Sequence, residues 1–245
     1  MKYYSFITLL ALVSVLGCNS GSDSVAVADS EEAPAAFSRF DASVDIVQEG
    51  QIIIIESSGV PNHPSPYWPT TSSLYKAYDG SNTAFNLNPN QIATQQYTFR
   101  IPASPAEAST KSATPLGPIG VALNGVAIFN QYAGPNQPLT NEIDSFDQYN
   151  GHPQNSGAYH YHVEPLYITD LVGKDGLIGY LLDGFPLYGP KDGSETVTNN
   201  DLDTYHGHVH VTTEYPDGIY HYHVTSEDPY INGNGFYGNA GTVSQ

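Results

Sequence analysis

The chain contains the tetrapeptide Tyr-His-Tyr-His twice, at Tyr159–His162 and at Tyr220–His223. In a β-strand, the side chains of residues i and i+2 lie on the same face. We therefore expect both histidines of each copy to point to one side of a strand and both tyrosines to the other. Imidazole binds zinc, copper, iron and nickel, so a pair of imidazoles on one strand face is part of a metal site.

The residues around the two copies repeat as well. Each tetrapeptide is preceded by an Asp-x-Tyr-x-Gly-His sequence, at 147–152 and 203–208. Further upstream, the segment 119–129 matches the segment 178–188. We predict two similar units, at about 119–163 and 178–224, whose halves pack about a pseudo-twofold axis, because two copies are too few for a solenoid.

The hydrophobic pattern predicts a mainly β fold that forms one compact domain with long ordered loops. Asn124–Gly125 and Asp183–Gly184 each lie between two apolar runs and predict hairpins. We expect a short helix only near 106–112. Strands are expected at 51–56, 96–101, 119–123, 126–129, 158–163, 178–182, 185–188, 206–211 and 219–224.

Residues 1–17 are expected to be a secretory signal peptide. Lys2 precedes an apolar run from Phe6 to Leu16, and a run of about 11 residues is too short to cross a bilayer. Val15-Leu16-Gly17-Cys18 resembles a bacterial lipobox, in which the cysteine is acylated. Cys18 is the only cysteine in the chain, which favours a lipoprotein over an ordinary signal peptide with an incidental cysteine.

Residues 18–40 are expected to form a lipid-anchored flexible tether, because they are rich in Ser, Ala, Asp and Glu and lack a periodic apolar pattern. The folded domain is expected to span 41–245. About 200 residues are enough to bury a hydrophobic core.

The chain is strongly acidic. It has seven Lys and Arg against 25 Asp and Glu, which gives a formal net charge of −18. This charge argues against a nucleic-acid partner or an anionic membrane surface. An acidic surface also keeps an exported protein soluble, and that explains most of the charge.

Six of the nine histidines occupy equivalent positions in the two units. Three nitrogen ligands leave one coordination position open, as in an exchangeable or catalytic metal site. The two sets form either two sites or one site shared at the pseudo-twofold axis, and the sequence does not distinguish these arrangements. The predicted metal ligands are His152, His160, His162, His208, His221 and His223.

The other three histidines carry weaker signals. His206 and His210 flank His208 at i±2, so in a continuous strand they share its face, either as further site residues or as a solvent-facing polar stripe. His63 lies in the Pro-rich segment Pro61-Asn62-His63-Pro64. We expect it to be a surface residue.

Asp147 and Asp203 each lie five residues before a predicted ligand. A carboxylate there either accepts the second ring N–H of a ligating histidine, which orients the ring, or caps a turn. For each aspartate taken alone, the turn-capping role is slightly favoured over the ring-orienting role.

The predicted metal is Cu(II) or Zn(II). Apart from Met1 and Cys18, the chain has no sulfur-containing side chain, which disfavours a Cu(I) carrier, while imidazole sites suit Cu(II) and Zn(II). Calcium and manganese require more oxygen ligands.

The combined motifs resemble the YHYH domain family of bacterial secreted proteins and lipoproteins. The matching segments are 116–126, Asn150–Pro153, Tyr159–His162, Asp183–Pro190 and Tyr220–His223, over roughly residues 85–238. The resemblance implies little chemistry, since the family is defined by its motif. Many family members have cysteine just before the Asn-Gly-His element. Tyr149 and Tyr205 stand there in this chain, so a disulfide at that position is absent.

The leading functional hypothesis is a lipid-anchored protein of a bacterial cell envelope that binds a transition metal, either for metal capture or for metal-dependent catalysis. The alternatives are a domain that recognises glycans by stacking on tyrosines, and a structural cell-surface domain with a hydrogen-bonded Tyr/His core and no metal. The expected partners are a metal ion, the membrane through the lipid anchor only, and an undefined cell-surface glycan or protein.

Overall fold

The computed structural model describes residues 30–245, which form one mainly β domain. In chain order the strands are β1 (Ser30–Glu31), β2 (Asp45–Glu49), β3 (Ile52–Ser57), β4 (Tyr97–Pro102), β5 (Glu107–Ser112), β6 (Pro118–Ala122), β7 (Ala127–Phe129), β8 (Tyr132–Ala133), β9 (Gln137–Pro138), β10 (Gly151–Pro153), β11 (Tyr159–Tyr161), β12 (Leu177–Leu181), β13 (Pro186–Tyr188), β14 (Lys191–Asp192), β15 (Glu195–Thr196), β16 (Gly207–His210), β17 (Ile219–His223), β18 (Phe236–Gly238) and β19 (Thr242–Ser244). One α-helix, α1 (Leu166–Val172), and 3₁₀ turns at Ala35–Arg39, Ile143–Ser145 and Asn199–Asp201 complete the elements.

The first sheet has the strand order β1-β2-β3-β4-β19. Alternate residues of β3 and β4 face the core, and Ile53 pairs with Ile101 as Ile55 pairs with Phe99. All four side chains are fully buried. The sequence predicted β3 and β4 but not the flanking strands β2 and β19, whose alternation is weaker.

The second sheet has eight strands in the order β10-β11-β7-β6-β12-β13-β17-β16. Every strand predicted in the two repeated segments is present. In each unit a hairpin is followed by a strand that pairs in parallel with its second arm, as β11 pairs with β7 and β17 with β13. The order of equivalent strands is therefore the same from either edge. One hydrophobic cluster joins both sheets, so the chain folds as a single domain.

The two units meet at the antiparallel pair β6–β12. Val121 pairs with Tyr180, which lies 59 positions further on and is its equivalent. Gly120 pairs with Leu181, and the equivalents of these residues, Ala122 and Gly179, pair with each other. A twofold axis through the Val121–Tyr180 pair would produce this register. The pseudo-twofold relation stays a prediction, which superposition of 119–163 on 178–224 tests.

The packed part of the chain begins earlier than residue 41. Ala35–Arg39 form a 3₁₀ turn, and Phe37 and Phe40 are buried. The Phe37 ring stacks on Tyr180, with ring centroids 4.3 Å apart. The predicted tether over 18–40 therefore extends too far toward the C-terminus. The sequence pattern did not show this, because two buried phenylalanines are too few to form a periodic apolar pattern.

The prediction of a short helix near 106–112 is wrong, because Glu107–Ser112 forms β5 and pairs with β18, near the C-terminal end of the chain. Among residues 30–245, no helix has the length and apolar character that crossing a bilayer requires. The predicted signal peptide, Cys18 and the tether up to residue 29 lie outside the described residues.

A long ordered loop over 58–96 covers the tyrosine side of the first unit, and it carries His63. The expectation that His63 is a surface residue is wrong, since its side chain is fully buried. The ring packs among Tyr149, Tyr159, Tyr161 and Tyr167. The flanking prolines indicated a loop correctly, but no residue pattern in this segment indicates that the loop folds back over the sheet.

His63 is held as a neutral imidazole by two hydrogen bonds. Its Nδ1 lies 3.0 Å from the carbonyl oxygen of Pro64, so Nδ1 carries the proton. Its Nε2 then accepts from the Tyr161 hydroxyl at 2.9 Å, and that hydroxyl accepts in turn from the Asn124 amide. Burial lowers the pKa of His63 to about 4, and the bond to Pro64 opposes this shift.

We expect His63 to make the fold sensitive to acid. A histidine in the unfolded chain has a pKa of about 6.5, so between about pH 6.5 and 4 the unfolded chain binds a proton that the folded protein does not. The free energy of unfolding therefore falls as the pH is lowered, and His63 accounts for a loss of about 2 kcal/mol at pH 5. Above pH 6.5 this contribution vanishes.

Urea unfolding at pH 7 and pH 5, with chelator present, measures this effect in the wild type and in His63→Gln. The glutamine oxygen can still accept from Tyr161 but does not titrate. The variant should lose about 2 kcal/mol less than the wild type between the two pH values. Equal losses in both proteins would show that His63 does not carry the acid sensitivity.

Candidate metal centre

Two strand pairs place the predicted ligands side by side. In the first unit β10 pairs with β11 so that His152 lies directly opposite His160. In the second unit β16 pairs with β17 so that His208 lies opposite His221. The third histidine of each unit follows two residues later on the same strand face.

The first triad consists of His152, His160 and His162. The Nε2 atom of His160 lies 3.1 Å from that of His152 and 2.9 Å from that of His162. All three residues are buried. The ring of Phe129 stacks on His160 and that of Phe146 packs edge-on against His152. These apolar rings separate much of the triad from water.

The second triad consists of His208, His221 and His223. Its three Nε2 atoms lie 3.2, 3.0 and 3.2 Å apart. His221 and His223 are buried, but the His208 side chain is 26% exposed. The six predicted histidines therefore form two separate clusters, and not one shared site.

The other ring nitrogen of each histidine in the first triad has a fixed acceptor. Nδ1 of His160 lies 3.0 Å from the Ala158 carbonyl oxygen, and Nδ1 of His162 lies 2.6 Å from that of Asn130. Nδ1 of His152 lies 2.7 Å from Ser145 Oγ. That hydroxyl donates its own proton to the Glu142 carbonyl, so it accepts from His152.

The second triad repeats this arrangement. Nδ1 of His221 lies 3.0 Å from the Ile219 carbonyl oxygen, and Nδ1 of His223 lies 2.7 Å from that of Gly189. His208 is hydrogen-bonded to the backbone of Asp201. An acceptor on Nδ1 fixes the proton there and leaves the Nε2 lone pair free.

The convergence of these lone pairs favours a positive charge between them. With Nδ1 acting as donor in five of the six rings, those rings have no proton on Nε2 when neutral, so the close Nε2 pairs among them are not hydrogen bonds between neutral rings. Lone pairs about 3 Å apart repel in a medium of low dielectric constant. A cation at the centre of each triad removes that repulsion.

On five of the six rings a proton is a poor candidate for that charge. Burial lowers the pKa of His162 and His223 to about 4 and that of His221 to about 3. Burial also lowers the pKa of His160 and His208. These rings are neutral at pH 7, which is the form that binds metals.

Glu142 is a fourth candidate ligand that the sequence did not reveal. Its Oε1 lies 3.3 Å from His152 Nε2, and its ligand atom lies within 4.8 Å of those of the first triad. Burial raises the pKa of the Glu142 carboxyl, but its contacts with the His152 and His162 rings outweigh burial, so this pKa is lowered. No motif marks Glu142, because it approaches the triad through a loop.

Asp147 and Asp203 do not orient the ligating rings. Asp147 accepts from the Tyr159 hydroxyl at 2.8 Å, and Asp203 accepts from Tyr220 at 2.9 Å. Each also accepts from backbone N–H groups of its own Asp-x-Tyr-x-Gly turn. Of the two readings, the turn cap is therefore the observed one, and each carboxylate additionally fixes the first tyrosine of its tetrapeptide.

His206 and His210 lie outside the second triad. His206 precedes β16 in a left-handed conformation, with φ of 72°, so the continuous strand that would have aligned it with His208 is not formed. Its Nε2 lies 3.0 Å from the Asn199 side-chain oxygen. His210 is on β16, half-exposed, and its Nδ1 lies 2.7 Å from Asp192 Oδ2.

The first triad with Glu142 and the second triad could each hold a metal ion. Comparison with curated proteins and with solved structures gives no match. A family model described as YHYH protein matches residues 98–200 and 191–235. These segments contain both triads and Glu142, and together they cover more than half of the 245 residues. The chain therefore belongs to the YHYH protein family.

Proposed function

We propose that this protein is an exported, lipid-anchored domain of a bacterial cell envelope that binds Zn(II) or Cu(II) at its two histidine triads. The observation that carries the proposal is the convergence of three Nε2 atoms in each triad, with neighbouring pairs 2.9–3.2 Å apart, and a fixed Nδ1 acceptor on five of the six rings. Metal capture and metal-dependent catalysis use the same ligands, and the proposal covers both.

The spacing of the nitrogens suits a small transition metal. Zinc–imidazole bonds are about 2.0–2.1 Å long, so nitrogens at adjacent corners of a tetrahedron lie about 3.3–3.4 Å apart. The observed separations are slightly shorter, and a small outward movement of the rings would accommodate the ion. A set of imidazoles, with or without a carboxylate, suits Zn(II) and Cu(II).

The alternatives find less support in the structure. Glycan stacking requires exposed aromatic faces, whereas the tyrosines of both tetrapeptides are buried. In a metal-free Tyr/His core the two residue types would bond to each other. Five of the six triad histidines instead bond through Nδ1 to backbone carbonyls or to Ser145.

Replacing two histidines of one triad should abolish metal binding at that triad alone. We expect His160→Ala with His162→Ala to lose one metal equivalent, and His221→Ala with His223→Ala to lose the other. Plasma mass spectrometry after loading with Zn(II) or Cu(II) and dialysis measures the content. A double variant that keeps the full wild-type content would exclude that triad as the binding site.

The matched control is Tyr159→Phe, which changes the opposite strand face. It removes the hydrogen bond to Asp147 and leaves that carboxylate buried with fewer donors. The free energy of unfolding should therefore fall by about 1–3 kcal/mol. Metal content should stay at the wild-type level. Loss of metal from this variant would mean that the double-histidine results reflect unfolding.

The export part of the proposal is tested on the native protein. The lipobox-like Val15–Cys18 segment motivates the expectation that the mature chain begins at acylated Cys18 and partitions with membranes. Intact-mass spectrometry of protein extracted from cells should show the added lipid, and Cys18→Ser should release the protein from the membrane fraction. An unmodified amino terminus, or a different start, would contradict this expectation.

A further inference from the structure

The two triads differ in one candidate ligand although the sequences around them repeat. Glu142 and Thr198 each lie five residues before the Asp of the Asp-x-Tyr-x-Gly-His sequence, and each directly precedes a 3₁₀ turn. Glu142 reaches the first triad. The Thr198 hydroxyl and N–H both donate to the Asp201 carboxylate, at 2.6 and 2.9 Å. The position that supplies a ligand in the first unit therefore supplies a turn cap in the second.

The nearest carboxylate in the second unit comes from elsewhere and does not complete the site. Asp192 Oδ2 lies 3.9 Å from His208 Nε2. The same oxygen lies 2.7 Å from His210 Nδ1, so it is bound to a residue outside the triad. Asp192 is not among the groups close enough to all three nitrogens to share one ion.

Access to solvent does not explain the difference. A cavity of about 230 Å³ borders the second triad and is lined by Tyr188, Lys191 and Thr212 among others. A cavity of about 280 Å³ borders the first triad as well, and Glu142 lines it. What differs is the carboxylate that can fill the fourth coordination position.

We propose that the first triad is a closed four-ligand metal site and that the second is an open site, whose fourth position takes water or a small anion from the neighbouring cavity. This inference rests on the proposed metal binding. It assigns different roles to the two triads: a closed site retains its ion, whereas an open site can bind an exogenous ligand. Lys191 lines this cavity together with the carboxylates Asp175 and Asp192.

Azide binding to the cobalt(II)-loaded protein tests the proposal, with visible absorption reporting the coordination of the ion. The site-2-only protein is His160→Ala with His162→Ala, and the site-1-only protein is His221→Ala with His223→Ala. Azide should change the spectrum of the site-2-only protein saturably and should bind the site-1-only protein at least about tenfold more weakly, a difference of about 1.4 kcal/mol.

Reciprocal exchange of the differing residues provides the matched variants. Glu142→Thr in the site-1-only protein should make it respond to azide. Thr198→Glu with Asp201→Ser in the site-2-only protein transplants the Glu142–Ser145 pair and should suppress the response. The wild type, with both triads intact, should show azide bound to one of its two cobalt ions, which provides the same test if a double variant does not fold.

Cobalt content is measured first, so that two failures are distinguished. A folded protein that takes up no cobalt at a triad would overturn metal binding there, and the open-site assignment with it. Cobalt at both triads with equal azide affinities, or with no azide response at the second triad, would overturn the assignment alone. The second outcome would mean that Asp192 moves to fill the fourth position.

Discussion

The site depends on a hydrogen-bond constraint at the nitrogen that faces away from it. Five of the six triad rings donate through Nδ1 to a fixed acceptor, such as the Asn130 carbonyl for His162 and the Gly189 carbonyl for His223. That bond sets the tautomer and the orientation of the ring together. The ring nitrogens of each triad are thereby held close to one point, an arrangement that a cation between them would stabilise.

The alternation of Tyr and His places the histidines of each tetrapeptide on one face of its strand and the tyrosines on the other. Both faces are buried, so every polar group on them needs a partner within the protein. On the tyrosine face the second hydroxyl of each tetrapeptide finds a different acceptor in each unit. Tyr222 donates to Asp183, the turn residue equivalent to Asn124. In the first unit the Asn124 amide donates to the Tyr161 hydroxyl and cannot accept its proton. The Tyr161 hydroxyl therefore needs another acceptor, and His63 from the 58–96 loop provides it.

The sequence predicted those parts of the structure that depend on local periodicity. A period of two fixed the strand of each tetrapeptide and the common face of its histidines, and Asn124–Gly125 and Asp183–Gly184 marked the two hairpins. The sequence did not predict Glu142, His63 or the packing of Phe37, because each reaches its partners through a loop or turn without periodicity. For Glu142 the only available signal was its position one turn before the Asp147 motif, where nothing separates it from the other acidic residues.

The comparison of the two repeated segments shows why a repeated sequence need not produce two equal sites. Glu142 and Thr198 both precede a 3₁₀ turn, but Glu142 is helical (φ −74°, ψ −32°) and Thr198 is extended (φ −118°, ψ 165°), so backbone and side chain together decide whether that position faces the imidazoles or caps the turn. The residue three positions later also differs between the two units. Ser145 accepts from His152, whereas Asp201 receives both donors of Thr198. In the second unit, Thr198 and Asp201 hydrogen-bond to each other within the turn. In the first unit, Ser145 does not hold the Glu142 carboxylate, which approaches His152 instead. The proposed difference between a closed and an open site thus lies in the turn that precedes each Asp-x-Tyr-x-Gly-His sequence, outside the strand pairs that carry the histidines.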